Sequence, residues 1–139
     1  MDGFVWAAFV CYLIVALGGV IIGLSYFLRS KFMPYHQEAL GQNWDQLDRR
    51  LQTLLIAFIR GGGGIQVGAS ISVLIMLFIP FRLGELWAHY AIPTVFLITC
   101  LSALYGTLLV RSRTHARTPI APVAAGVVLT IVGFILSFF

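Results

Sequence analysis

Four stretches of this chain, residues 3–28, 61–81, 86–110 and 118–139, contain no charged side chain. A membrane-crossing helix needs about 20 apolar residues to span a hydrocarbon core about 30 Å thick, so 139 residues hold four crossings and little else. Charged residues are 10% of the chain and its mean hydropathy is +0.96, whereas soluble domains carry roughly 25% charge. A soluble fold could not clothe its surface with so few polar groups. The expected fold is therefore an all-α integral membrane protein of one domain, with four transmembrane helices in a compact bundle. One amphipathic cytoplasmic interfacial helix joins the first two spans. No polar block is long enough for a separate soluble catalytic domain, and no nucleic-acid partner is expected.

The first span covers about 4–28 and stops at Arg29, Ser30 and Lys31. It opens without a basic segment and outruns the 7–15 residue apolar core of a signal peptide, which makes it a retained span. The third, about 87–110, lies between Glu85 and Arg111. The fourth, about 119–139, opens at Thr118-Pro119, a hydroxyl N-cap followed by a proline whose missing N–H is harmless there. The second is longer than one crossing needs. Residues 36–54 place Leu40, Trp44, Leu47, Leu51 and Leu54 on one helical stripe, with Glu38, Asp45, Arg49 and Gln52 opposite. That is the pattern of a helix lying along the membrane surface. Gly61, Gly62, Gly63 and Gly64 are then expected to act as a hinge into a span over 61–81, with a possible helical extension back to 54.

Basic residues set the orientation, because Lys and Arg in short loops stay cytoplasmic. Arg29, Lys31, Arg49 and Arg50 occupy the first loop and Arg111, Arg113 and Arg117 the third, while the second has Arg82 balanced by Glu85. This predicts cytoplasmic first and third loops and both termini outside, in the inner membrane of a bacterium. Small residues every four positions let helix backbones approach in lipid. The sets Gly19/Gly23, Gly64/Gly68/Ser72 and Ser102/Gly106 are therefore expected to pack helices, inside the bundle or between copies.

Few residues suggest chemistry. His36 and Glu38 lie two positions apart where the chain leaves the first span, in a string from Tyr35 to Gly41 dense enough in functional groups to be a signature. They form a polar site at the headgroup level, or the pair of a lipid-headgroup enzyme. Arg60 is the one charge near a span interior. It snorkels to the interface as an anchor, or joins Arg49, Arg50, Arg111, Arg113 and Arg117 in binding anionic lipid at the cytoplasmic face. The four glycines lack the Lys-Ser/Thr that a phosphate loop requires, since Ile65-Gln66 follows. Gln66 is instead a polar group for bonding between helices. No zinc spacing is present, so no metal and no cofactor is expected. Haem b is disfavoured because His115 lies in a basic loop, away from any span that could pair it with His36. Cys11 and Cys100 read as small buried hydrophobes.

Three function classes follow. The first is association without evident catalysis, as a homo-oligomer or as an accessory or assembly subunit of a larger membrane complex. The second is an oligomeric transporter or channel for an anion or lipid using Arg60; proton-coupled cation export lacks an intramembrane carboxylate. The third is a lipid-headgroup enzyme using His36 and Glu38.

Overall fold

The computed structural model describes residues 2–139, and all regular structure in them is helical. The helices are α1 (Gly3–Phe27), α2 (Pro34–Leu40), α3 (Arg49–Met76), α4 (Leu86–Thr114) and α5 (Ile120–Leu136). A single 3-10 turn, Trp44–Gln46, separates α2 from α3, and α3 continues into a widened π turn, Leu77–Phe81. Three helices are long and apolar enough to cross a membrane: α1, α3 with its π turn, and α4. Helix α5, with 17 residues, is a shorter apolar helix.

Helix starts and stops follow local chemistry. Asp2 Oδ1 accepts the Val5 N–H at 2.9 Å and Asp48 Oδ2 accepts the Arg50 N–H at 3.0 Å, each satisfying a donor that the helix leaves orphaned. The π turn coincides with Pro80, which has no N–H to give the preceding turn.

Three expectations are corrected. Residues 36–54 are not one amphipathic helix. Helix α2 stops at Gly41, whose left-handed φ of 64° suits a residue without a Cβ, and a new helix starts only at Arg49. The glycines 61–64 do not break the chain either: α3 runs through them without interruption, because neighbours on both sides propagate the helix. At the fourth helix Thr118 is not the N-cap. Its hydroxyl donates to the Thr107 carbonyl of α4 at 3.1 Å, and α5 starts at Ile120 after Pro119.

Helix α1 packs antiparallel to α3. Gly23 sits against Gly63 and Val67, Gly19 against Gln66 and Ser70, and Phe9 meets the ring of Phe78 at 5.3 Å. On another side α1 packs against α5, with Tyr12 on Gly133 and Phe4 near Phe139. Helix α4 lies along α5, from Tyr90 beside Phe134 to Thr107 beside Thr118. All these helices therefore share one axis direction, with the chain termini at one end and Arg29, Arg60 and Arg111 towards the other, the basic end.

The apolar core joins Ala8, Phe9, Tyr12 and Ala16 to Val73, Leu77, Phe81, Ala88, Ile92 and Phe96. It is concentrated towards the termini end. Nearer the basic end the α1–α3 seam is built from glycine instead: a Cβ on Gly63 would stand 2.6 Å from the Phe27 amide nitrogen. Backbone-to-backbone packing of this kind is how helices associate where lipid removes the hydrophobic drive.

Candidate functional site

The basic end is closed by a cap in which the first loop folds onto the third. Phe32, Leu47, Ala116 and Thr118 are buried in it. Trp44 meets Phe32 edge-on at 5.0 Å, and the Gln52 amide donates to the Trp44 carbonyl at 2.8 Å. Lys31 and Asp45 form an ion pair at 3.3 Å, with both side chains too exposed for it to stabilise the fold much.

The structure does not bring His36 and Glu38 together. Two positions apart on a helix, they point to different sides. Glu38 Oε2 accepts the Arg117 N–H at 2.8 Å, tying α2 to the third loop. His36 Nδ1 accepts the Met33 N–H at 3.2 Å, which requires that nitrogen to be unprotonated, and the ring packs edge-on against Phe32 and Tyr35. Burial pushes the His36 pKa below its ordinary value. Burial, then the hydrogen bond with Tyr26, pushes the Tyr35 phenol up.

Arg60 lies at the end of α1, where its Nε–H donates to the Arg29 carbonyl at 3.0 Å. This holds the guanidinium stem in place and leaves its two terminal nitrogens for another partner. Arg49 and Arg50 sit three turns before Arg60 on the same helix, about 16 Å away along the axis. Arg111 and Arg113 are exposed in the last turn of α4, where positive charge opposes the negative end of the helix dipole. Arg117 is exposed in the loop beyond. These arginines ring the basic end but form no single cluster. His115 is exposed and ends α4 with a left-handed φ of 57°.

Among the small residues, Gly19 and Gly23 are buried against α3, and Gly64 touches the Phe27 ring. Gly68 and Gly106 meet nothing within 4 Å, and Ser72 and Ser102 are exposed. As packing residues within the chain, those four are corrected: they face away from the other helices. Their places are taken by Gly63 and Ser70 on α3, by Gly126 against Cys100, and by Gly133 against Tyr12. Gly63 and Ser70 were hidden because a four-residue glycine run satisfies small-residue spacing in more than one register. Gln66 bonds within its own helix, to Ser70 Oγ at 3.3 Å. Cys11 and Cys100 are half-buried and unpaired.

Among the described residues no three His, Cys, Asp or Glu side chains meet in a metal-ligating group. Comparison with family models, curated proteins and solved structures finds no match, so the functional reading rests on the residues themselves.

Proposed function

We propose that this chain is a small multi-pass protein of a bacterial inner membrane that acts by helix association, as a homo-oligomer or as an accessory or assembly subunit of a larger membrane complex. In this reading α5 is the fourth span, near the lower length limit for a crossing. The basic end is cytoplasmic and both termini are outside.

One observation carries the proposal. Helix α3 has a second seam opposite the one that packs on α1: Leu51, Leu54, Phe58, Gly61, Ile65, Gly68, Ser72 and Ile75 are all exposed. Gly61, Gly68 and Ser72 make this exposed face small-sided over several turns, and small residues are what let another helix approach closely in lipid. The seam also continues past Arg60, towards Leu54 and Leu51, beyond the level at which α1 ends and acyl chains stop covering the helix.

The test uses Gly61→Ile and Gly68→Ile, which enter open space in the single chain. Native mass spectrometry of the gently extracted protein is expected to show a defined oligomer or a bound larger protein, lost in both variants while helicity persists. A wild-type chain that is monomeric and alone under these conditions would sink the reading.

A second reading, contact with anionic lipid at the cytoplasmic face, is favoured by the Arg60–Arg29 hydrogen bond. It holds a guanidinium at headgroup level with its terminal nitrogens free for a phosphate. Transport through Arg60 and headgroup chemistry at His36 and Glu38 draw less support, since Arg60 lies level with the end of α1, bonded to the Arg29 carbonyl, and the other two side chains are engaged separately.

A further inference from the structure

At the termini end, away from every residue discussed above as a site, a cleft of about 490 Å³ opens between the start of α1, the turn joining α3 to α4, and the end of α5. Asp2, Arg82, His89 and Ser137 line it together with Phe81, Leu86 and Phe138. The Ser137 hydroxyl is already bonded to the Phe134 carbonyl, which leaves three polar side chains for a ligand. Asp2 supplies a carboxylate, one oxygen of which caps α1. Arg82 supplies an exposed guanidinium. These two line one cleft yet make no ion pair with each other.

His89 is the third, and it is only 8% exposed. Its ring stacks on Phe81 at 4.5 Å, and Nδ1 lies 3.1 Å from the Ser137 carbonyl. A carbonyl only accepts, so Nδ1 carries a proton, and in that tautomer of the imidazole the lone pair lies at Nε2. Nε2 has no hydrogen-bond partner among the described residues, yet it is not sealed in the protein: the one enclosed side-chain polar atom among them without a partner is the Tyr12 hydroxyl. His89 thus offers the cleft an unused acceptor on a ring fixed by packing and by its other nitrogen.

We propose that this cleft binds a small zwitterion bearing a primary ammonium and an anionic group, the chemistry of phosphoethanolamine, either as a lipid headgroup or free. The ammonium donates to Asp2 and to His89 Nε2, and the phosphate takes the Arg82 fork. A quaternary choline group has no N–H to donate, so it leaves the His89 lone pair unmet. The position suits a headgroup, because the cleft lies where apolar helices begin and end.

The experiment uses the full chain in detergent with ¹⁵N-labelled histidine, following the His89 Nε2 resonance. The probes are O-phosphoethanolamine, dihexanoyl phosphatidylethanolamine and dihexanoyl phosphatidylcholine. A saturable shift with phosphatidylethanolamine alone supports the site and assigns it to a lipid headgroup; a shift with free phosphoethanolamine as well supports the site for the zwitterion from either source. Arg82→Gln and Asp2→Asn, both at exposed positions and the second still able to cap α1, are each expected to weaken binding about tenfold. The proposal is overturned if phosphatidylcholine shifts the resonance as strongly, if no probe shifts it, or if both variants bind like wild type.

Discussion

The glycines of this chain divide by what surrounds them, and the division is measurable one residue at a time. Gly63→Ala would press a methyl group into the backbone of α1, a clash that side-chain motion cannot relieve, and should destabilise the fold by about 1–3 kcal/mol. Gly62→Ala, outside the exposed α3 seam, meets nothing within 4 Å and should gain up to about 1 kcal/mol of helix propensity. Unfolding of the two variants in mixed detergent with SDS compares them directly, and equal behaviour would contradict the α1–α3 seam. Tyr12 makes the complementary case. Its hydroxyl is enclosed without a partner, so Tyr12→Phe is expected to leave stability unchanged or raise it by about 1 kcal/mol. His36 gives a pH dependence. The folded chain protonates it less readily than the unfolded chain, whose His titrates near 6.5. Its contribution is complete above about pH 6.5 and is lost as pH falls below that value towards the lowered folded pKa. Melting between pH 7.5 and 5.5 should drop more for wild type than for His36→Gln, and parallel slopes would refute the assignment.

At the scale of elements, the first loop differs most from its sequence pattern. Leu40, Trp44, Leu47 and Leu51 do share a stripe on an ideal helix, but Gly41 ends α2 and the segment folds back so that Phe32 and Leu47 become buried. Periodicity records which residues want burial and not which turn interrupts them. Gly41→Ala tests the interruption. A Cβ at φ 64° costs about 1–2 kcal/mol, and amide exchange should quicken across Pro34–Leu47 while the core of α1 stays protected. The candidate residues at this end were legible as types and positions. Their partners were not: Glu38 bonds a backbone N–H 79 residues away, a pairing no local pattern encodes.

For the whole molecule, the proposed orientation predicts that cysteines placed at Lys31 and Arg113, in a chain freed of Cys11 and Cys100, are labelled only from the cytoplasmic side. A cysteine at Leu83 should be labelled only from outside. The reverse pattern would invert the reading of every loop charge, and labelling of all three from one side would remove α3 and α4 as spans.

The sequence by itself determined that this is a helical protein rich in membrane-length apolar segments, where charge halts them, and which end is basic. Those properties follow from the transfer cost of each side chain and are additive along the chain. Which glycines face another helix, that α3 passes unbroken through Gly61–Gly64, and that His89 and Arg82 share a cleft with Asp2 were decided only by the tertiary structure. Each depends on the rotation and register of one helix against another. In lipid those are set by close contact between surfaces, and apolar residues on every side of a helix leave no stripe from which to read them.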